Sequence, residues 1–369
     1  MKNILITGVG GPTPRSFVRA VNLLDHAANQ QYRFIGVDCN PLAYGLYDNS
    51  LFDQSYVVPR CNSDQYWLVI NQIIQKENID AAIILPEEEV LEWSLNHETK
   101  LDREIVTHLP DYQLAKSLVN KHQMHQQLAG SNLIPKFIKI NPLSYDYKSI
   151  VREIGETFWI RSTEGSSGLG SLKIDSEEAL SQWISINPKV KEFIATEYLP
   201  GRNMACKMLY FDGKLRRTAC AERVNYIMAK VAPSGITGNT SFGRLINEPG
   251  LVELSKRALE TIVHQLDCEL NGIFTVDYKE DSRGLPKITE INVRHVAFTS
   301  SMAAGGANIP ADTLETMLSG AGGADMDRID YTYAEPMIFL RDVDAAPIIM
   351  KESDLLKDEM IEQKSAVSH

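Results

Sequence analysis

The chain has 369 residues, too many for one ordinary core, so two or three domains or lobes are expected. Hydrophobic residues make up 44% and charged residues 23%, as in globular proteins, and the net charge of -11 argues against a general nucleic-acid binder. No apolar run approaches the roughly 18 residues of a membrane helix, so no membrane partner is expected. The five cysteines match no zinc pattern and their odd number does not suit a disulfide framework, which favours a reducing, cytoplasmic location.

The first 112 residues alternate strand and helix patterns. KNILITG, YRFIGVD and DAAIILP are apolar runs typical of buried strands, with helical patterns in RSFVRAVNLLDHAA and YWLVINQIIQKENI. This order predicts a parallel sheet with right-handed crossovers. The turn GVGGPTPRS and the segment PEEEVLEW follow strands, at the carboxyl edge where open α/β sheets bind ligands. Glu87 and Glu88 there suit an amine, although a tight turn and solvated acids are the alternative interpretations.

Beyond residue 112 the pattern changes to short strands. One helix carrying Lys116 and Lys121 is predicted to stop near Gly130, before the strands FWIRS, GSLKI and FIATEYL. The glycine- and serine-rich loop TEGSSGLGS joins the first two. Its small residues would let backbone N–H groups approach phosphate oxygens, although such a loop is more often a hairpin turn. Arg161, at the end of FWIRS, suits a phosphate clamp better than a core position.

The next segment predicts a hairpin, a loop and a helix. MACKMLYFDGKLRRTAC has Asp-Gly at its centre, which indicates a hairpin turn. The stretch ERVNYIMAKVAPSGITGNTSFG is predicted as a long polar loop, and LVELSKRALETIVHQL as a helix. Arg223 in that loop is a candidate anchor for a substrate carboxylate, or else a surface arginine. The tail after about residue 357 is expected to fray.

Two later stretches, GIFTVDY and TEINVRHVAF, alternate polar and apolar residues. Residues two apart on a strand share a face, so Glu290, Asn292 and Arg294 should form one row, with His295 pointing the other way. Turn formers in KEDSRGLPK predict an antiparallel hairpin that brings Asp277 beside that row. Like charges on neighbouring strands repel, and Mg²⁺, which joins carboxylates to nucleotide phosphates, would compensate. A surface hairpin of mixed charge is the alternative.

These parts, in this order, resemble the ATP-grasp superfamily, and within it the branch similar to the large subunit of carbamoyl-phosphate synthetase. The resemblance covers roughly residues 1 to 310. EINVR resembles that family's Glu-x-Asn-Pro-Arg signature, and FTVDY its other metal strand. NKHQMHQQL resembles the lysine helix of the ATP lobe, IATEYLPGRN the adenine hinge, and FIGVDCNPLAYGLYDNSLFDQSYVVP the second strand and loop of the leading domain.

The resemblance implies an α/β fold, α+β in the ATP lobes. An N-terminal Rossmann-like domain would span 1–112, a small lobe with a glycine-rich lid 113–200, and a large lobe with the metal site and a C-terminal extension 201–369. It implies ATP and Mg²⁺, or Mn²⁺, on the metal ligands Asp277, Glu290 and Asn292. The catalytic residues would be Arg294, Arg161 and Arg223. The ATP-binding residues would be Lys121, Arg161, Gly165, Ser166, Ser167, Gly168, Gly170, Glu197, Tyr198, Leu199 and Asn203.

The implied activity is that of a carboxylate–amine ligase, which phosphorylates a small-molecule carboxylate with ATP. An amine or other nucleophile then displaces phosphate, and ADP is the other product. A homodimer is common for such folds. Three residues depart from the family pattern: Asn203 stands where many relatives have a ribose-binding Glu, and Ser162 and Val293 replace usual prolines.

Two other functions remain open. GVGGPTPRS is loosely similar to a dinucleotide-binding turn, and Asp38 ends the second strand where a ribose-binding acid would lie, which favours an NAD-dependent oxidoreductase. The full G-x-G-x-x-G is absent, and this reading leaves the glycine-rich loop and the metal strands unexplained. A non-catalytic nucleotide-binding module is the other alternative, and the intact acidic set argues against it.

Overall fold

The computed structural model describes residues 1–24, 31–165, 168, 170–319, 326–342, 348–351 and 353. The described strands are β1 (Lys2–Thr7), β2 (Tyr32–Asp38), β3 (Gln54–Val57), β4 (Ala81–Ile83), β5 (Val106–Thr107), β6 (Phe137–Ile140), β7 (Phe158–Ser162), β8 (Leu172–Ile174), β9 (Phe193–Glu197), β10 (Asn203–Phe211), β11 (Lys214–Tyr226), β12 (Thr240–Ile246), β13 (Gly272–Glu280), β14 (Pro286–Asn292), β15 (Ile329–Asp330), β16 (Met337–Leu340) and β17 (Ile348–Lys351). The described α-helices are α1 (Pro12–Val21), α2 (Tyr66–Lys76), α3 (Glu87–Lys100), α4 (Tyr112–Val119), α5 (Lys121–Gln127), α6 (Tyr147–Ile154), α7 (Glu177–Ile186), α8 (Pro249–Leu266), α9 (Thr299–Ala304) and α10 (Ile309–Leu318).

The first sheet is parallel, in the order β3-β2-β1-β4-β5. Its central strand β1 is buried over residues 4–7, as expected for a parallel strand covered on both faces. Pro12 opens α1, where the missing N–H has no helical partner to lose. The predicted parallel sheet is confirmed. Strand β3, QSYV, adds to it without an apolar run that would have predicted a strand.

The second sheet is antiparallel, in the order β6-β9-β7-β8. Helices α6 and α7 contribute Ile150, Ile154 and Leu180 to the apolar cluster that also contains Phe158 and Phe193 of the strands. The sheet therefore holds β7, with Arg161 near its end, on a packed support.

The third sheet has the order β14-β13-β10-β11-β12-β16-β17, with β15 added in parallel to β11. Asp212 and Gly213, between β10 and β11, both have positive φ, as a tight hairpin turn of this kind requires, so the predicted hairpin is confirmed. The predicted long loop is shorter than expected, because β11 runs to Tyr226 and β12 starts at Thr240. Its polar residues form strands by pairing with each other, which no apolar pattern reveals.

The prediction that one helix carries both Lys116 and Lys121 is wrong, because α4 and α5 are separate helices. Asn120 lies between them with an extended backbone, and its side chain accepts a hydrogen bond from the Gln123 N–H as a cap. The Lys121 N–H donates to the carbonyl of Thr163, at 2.8 Å. This break turns Lys121 inward, so that it is only 6% exposed instead of lying on a solvated helix surface.

One apolar cluster is shared by the first sheet, the third sheet and the helices between them. It contains Ile70 and Trp93 from α2 and α3, Leu114 from α4, and Met208 and Phe274 from β10 and β13. The domain boundaries at residues 112 and 200 stay a proposal. The first boundary would separate residues that pack together in this apolar cluster. The expected frayed tail after about residue 357 lies outside the described residues. In the ranges that the structure describes, no helix is both long and apolar enough to cross a membrane.

Candidate active site

A cleft of about 1060 Å³ is lined by residues of all three sheets. The predicted site residues that line it are Lys121, Arg161, Gly165, Gly168, Glu197, Tyr198, Leu199, Asn203, Arg223, Asp277, Glu290, Asn292 and Arg294. Gly170, in the glycine-rich loop, is buried and is not among the lining residues. Ser166 and Ser167 lie outside the described residues. The fold thus gathers groups from distant parts of the chain, while their individual roles stay predictions.

The two acidic residues face each other across the hairpin of β13 and β14. Asp277 is the register partner of Glu290, and an irregularity in the pairing follows directly after Asp277. The Asn292 amide donates to Asp277 Oδ2 at 3.1 Å, with its own side-chain oxygen left to accept. Two carboxylates and one amide therefore lie on one surface, as the alternation of the two strands predicts.

Three cations from three different elements surround this pair. Lys121 Nζ lies 3.6 Å from Glu290 Oε1, and Arg161 Nη1 lies 3.7 Å from Glu290 Oε2. Arg223 Nη1 lies 3.2 Å from Asp277 Oδ1. The cations come from α5, β7 and β11, so the second and third sheets both contribute to one electrostatic network.

The network separates the pKa values of the two carboxyl groups. Burial raises the pKa of Asp277, and the guanidinium of Arg223 offsets only part of that effect. Burial acts on Glu290 in the same direction, but the positive charges, led by Lys121 and Arg161, hold its pKa below the usual value. Glu290 is therefore the carboxyl group that stays ionised more readily as the pH falls.

The donor set fits a hard divalent cation together with a polyanion. In the described part of the chain, no group of three or more His, Cys, Asp and Glu side chains is arranged to hold a metal ion. Two carboxylates and an amide suit Mg²⁺, which often keeps water and phosphate oxygens as its remaining ligands. The Nε atoms of Arg161 and Arg294 are buried without a hydrogen-bond partner. Such orphaned donors are costly unless an anion accepts from them.

The glycine-rich loop lies over this network. Lys121 Nζ donates to the Gly165 carbonyl at 2.7 Å. Gly168 has a φ of +75°, and a Cβ there would lie 2.4 Å from the carbonyl oxygen of Ile236, so only glycine fits this close approach. The Gly170 carbonyl accepts from the Trp183 indole at 2.9 Å, which anchors the loop to α7.

The predicted hinge residues line one end of the cleft. Glu197 ends β9, its N–H donates to the Lys136 carbonyl at 3.0 Å, and its Oε2 accepts from the Lys136 N–H at 3.1 Å. The Tyr198 ring stacks with the Lys173 ammonium at 4.9 Å, and Leu199 is buried. The hinge end of the cleft therefore presents backbone polar groups and the apolar Leu199 side chain to a ligand, and the bonds to Lys136 hold it in place.

Arg294 departs from the predicted strand. β14 ends at Asn292, so Arg294 follows in a bend and does not continue the row. Its Nη2 donates to Glu87 Oε1 at 2.8 Å, which ties the hairpin of β13 and β14 to the start of α3. His295 points away from the cleft as expected: it is buried, packs edge-on against Phe17 and lies 3.3 Å from the Thr313 hydroxyl.

The turn after β1 borders the far end of the same cleft. Gly8 has a φ of +67°, and a Cβ there would lie 2.4 Å from Pro86. Asp38 accepts from the Gly10 N–H through Oδ2 and from the Asn40 N–H through Oδ1, each at 2.8 Å. Both oxygens thus hold backbone turns, which does not favour Asp38 as a ribose ligand.

Glu89 lies beside this turn, close to Thr7 and Tyr66, and burial raises its pKa from 4.5 to about 7. Glu89 keeps its proton up to about pH 7 in the folded state but loses it above about pH 4.5 in the unfolded state. The free energy of unfolding therefore falls as the pH rises from about 4.5 to 7. We expect Glu89→Gln to raise the free energy of unfolding at pH 8 by up to about 3 kcal/mol, with little change at pH 4.5. Denaturant titrations at both pH values measure this.

The exposed Glu98 on the same helix supplies the control for this prediction. Glu98→Gln should leave the pH dependence of stability unchanged. An identical pH dependence in the parent and in Glu89→Gln would show that Glu89 is not held protonated.

Sequence reasoning missed the aromatic side chains that hold Arg223. Its guanidinium lies 5.1 Å from the Tyr226 ring centroid and 5.4 Å from that of Phe298. Its Nε donates to the Thr240 hydroxyl at 3.0 Å. Register shifts in β11 after Arg223 turn both Arg223 and Tyr226 toward the cleft. Arg223 and Tyr226 are three residues apart, so simple alternation would place them on opposite faces of the strand. No feature of the sequence signals the register shift that brings them together.

The sequence model of the family described as PylC-like, N-terminal domain, matches residues 4–107. No curated protein matches the chain. An N5-carboxyaminoimidazole synthetase from Staphylococcus aureus, complexed with ADP, is a similar solved structure: TM-score 0.68, 16% identity, 98% of this chain and 86% of that chain covered.

Two further solved structures are similar. An L-amino acid ligase from Bacillus licheniformis has a TM-score of 0.64 and 14% identity, over 92% of this chain and 79% of that chain. The biotin carboxylase domain dimer of 2-oxoglutarate carboxylase from Hydrogenobacter thermophilus, in complex with MgADP, ADP and bicarbonate, has a TM-score of 0.62 and 13% identity, over 92% and 74%. At these identities the likeness establishes the fold, and the chain has the ATP-grasp fold expected from its sequence.

Proposed function

We propose that the protein is an ATP- and Mg²⁺-dependent ligase. It activates a carboxylate as an acyl phosphate and joins it to an amine or another nucleophile, with release of ADP and phosphate. The observation that carries the proposal is the facing pair of Asp277 and Glu290, with Asn292 beside it, at the meeting point of cations from both ATP lobes.

The nucleotide would occupy the cleft from the hinge to the acidic pair. Glu197, Tyr198 and Leu199 would meet the adenine, and Asn203 is the candidate for a ribose contact. Lys121 and Arg161 would hold phosphate oxygens, and the glycine-rich loop would exclude water, which matters because an acyl phosphate hydrolyses readily. Relatives of the same fold that bind ADP and MgADP support this assignment.

Asp277, Glu290 and Asn292 would hold Mg²⁺, or Mn²⁺, which when bound neutralises phosphate charge. The chain's own groups would complete the electrostatic work. Phosphoryl transfer depends mainly on positioning and charge stabilisation, not on a covalent protein nucleophile. Arg294 would contact the transferring phosphoryl group or the activated substrate, and Arg223, held between two rings, would fix Asp277 and orient the carboxylate.

The carboxylate and amine substrates would meet at the other end of the cleft. The Gly8 turn and the ion pair of Glu87 with Arg294 lie there together, so the site offers both a negative and a positive group. Small molecules are therefore the proposed partners, and a homodimer is part of the proposal. A cytoplasmic location also remains proposed, supported by the five cysteines, which are all free thiols.

The alternatives have less support. An NAD-dependent oxidoreductase would leave the acidic hairpin and its cations without a role, and the carboxylate of Asp38 is already engaged. A non-catalytic nucleotide-binding module would not need two half-buried carboxylates that repel each other.

Hydroxylamine trapping tests the proposed function. The protein is incubated with MgATP, hydroxylamine and a panel of amino acids, sugar acids and small peptides, with omission of ATP as the control. We expect one class of acid to give a hydroxamate together with stoichiometric ADP and phosphate. Formation of AMP and pyrophosphate would instead indicate an adenylate and contradict the mechanism.

A further inference from the structure

Lys207 is a lysine in the interior of the third sheet. It lies on β10 opposite Thr275 of β13, two residues before Asp277, and is 1% exposed. Among the described residues it forms no ion pair; its ammonium group donates one hydrogen bond, to the Thr299 hydroxyl. Burying a charged amine without a carboxylate partner is unfavourable, and burial lowers the pKa of Lys207 well below its usual value.

Core packing alone does not require this amine. The same face of the sheet carries Ala205, Leu209 and Ile273 in an apolar cluster. A methionine has a similar length and would fill such a space without the cost of burying an amine. The reason for a lysine should therefore lie in its partner, Thr299.

Thr299 begins α9 directly after the segment 294–298, here called the wall segment. Arg294, Val296, Ala297 and Phe298 of this segment line the cleft. Glu87 holds the wall segment at one end through Arg294. At the other end, the Thr299 N–H donates to the Val296 carbonyl at 3.0 Å, so the position of Thr299 sets that of the wall segment.

The adjacent residue is held from a second side. The Ser300 N–H donates to Ser16 Oγ of α1 at 2.9 Å, and the two hydroxyls lie 2.8 Å apart. The wall segment is thus tied to the first sheet's helix through Ser16 and to the metal-bearing sheet through Lys207. The tie through Lys207 connects the wall segment to β10, the neighbour of β13. It acts beside two others: the Thr275 hydroxyl donates to the Arg294 carbonyl at 3.5 Å, and the Arg223 guanidinium lies 5.4 Å from the Phe298 ring centroid.

We propose that Lys207 is a positioning residue: its amine fixes Thr299 and thereby sets the wall segment against the acidic hairpin. The consequence for turnover rests on the proposed ligase function, since the wall segment would border the reacting groups. The claim that Lys207 fixes the position of Thr299 and the wall segment does not depend on the ligase function.

Lys207→Met and Thr299→Val test the tie, with Thr299→Ser as the control that keeps the hydroxyl. We expect Lys207→Met to melt at the same temperature as the parent or higher, because a buried amine is removed. We expect the amides of residues 296–301 to exchange hydrogen about tenfold faster or more, measured by mass spectrometry. Thr299→Val should show the same faster amide exchange in residues 296–301, together with a lower melting temperature, because it leaves the Lys207 amine without its hydrogen-bond partner.

Turnover gives the functional part of the test. With the acid found by hydroxylamine trapping, Lys207→Met should lower kcat about tenfold or more, while MgADP affinity changes less than about twofold. Thr299→Ser should keep the parent values in every assay. Parent-like exchange in Lys207→Met and Thr299→Val would overturn the proposal.

The outcomes separate the two proposals. If the parent turns over no acid in the panel, the ligase assignment fails while the exchange data still decide the role of Lys207. If Lys207→Met does not fold, the comparison of Thr299→Val with Thr299→Ser decides it. Faster exchange with unchanged kcat would confine Lys207 to a structural role and overturn the claim that it positions the site.

Discussion

Glu290→Gln should abolish ligase turnover, with kcat reduced by about 10³-fold or more. The substitution keeps the shape of the side chain but removes the negative charge that faces Asp277 and draws Lys121 and Arg161 into the cleft. A glutamine is a poor ligand for Mg²⁺ beside a single remaining carboxylate. ADP release in the hydroxylamine assay measures the loss.

Two controls separate loss of the metal ligand from loss of the fold. Glu269→Gln changes an exposed acid just before the same hairpin and should keep parent activity. Glu290→Asp keeps the negative charge but shortens the side chain by one methylene, so an intermediate loss of turnover is expected. Full activity in Glu290→Gln, in a protein that melts like the parent, would remove Glu290 from the site.

Arg161→Met should raise the KM for ATP by about 10-fold to 100-fold, since a hydrogen bond to a charged group contributes about 1.5–3 kcal/mol. Arg161 is well placed for this: its side chain is 11% exposed, its Nη1 lies near Glu290, and its Nη2 donates to the Thr289 carbonyl. It therefore spans from β7 of the second sheet to β14 of the third sheet. Steady-state kinetics with varied MgATP measure the change.

The same variant should change the pH profile in a defined direction. In the parent, burial tends to raise the pKa of Glu290, and the cations Lys121 and Arg161 hold it below its usual value. Loss of Arg161 raises that pKa, so activity should disappear at a higher pH as the solution is acidified. Arg161→Lys keeps the charge and should restore most of the parent profile.

A surface arginine provides the matched control for this prediction. Arg152 lies on α6, which packs against the same sheet as β7, and it is exposed, so Arg152→Met should change neither KM nor the pH profile. An Arg161→Met enzyme with the parent KM and the parent profile would contradict a phosphate-binding role for Arg161.

The parts of the site that could be predicted are those with a local pattern. Period-two alternation in GIFTVDY and TEINVR, with turn formers between them, is enough to place Asp277 on one surface with Glu290 and Asn292, although the exact register comes from the structure. The Asp-Gly turn between β10 and β11 is equally local. The resemblance to a family adds the fold, which the structure bears out, while the division into lobes stays a prediction.

The parts that could not be predicted depend on contacts between distant residues. Arg294 leaves its strand and meets Glu87, 207 residues away in sequence. The break before Lys121 depends on the cap of Asn120, inside what the sequence presents as one polar helix. Lys207 stands in an apolar run, MACKMLY, and its hydrogen-bond partner among the described residues, Thr299, comes from the start of α9, 92 residues away in sequence.

The most direct test of the account is a crystal structure of the protein with Mg²⁺ and ADP. We expect ADP in the cleft beside Lys121 and Arg161, and an ion about 2.0–2.1 Å from an oxygen of both Asp277 and Glu290. ADP bound elsewhere, or an ion that neither carboxylate touches while both remain paired with their cations, would contradict it.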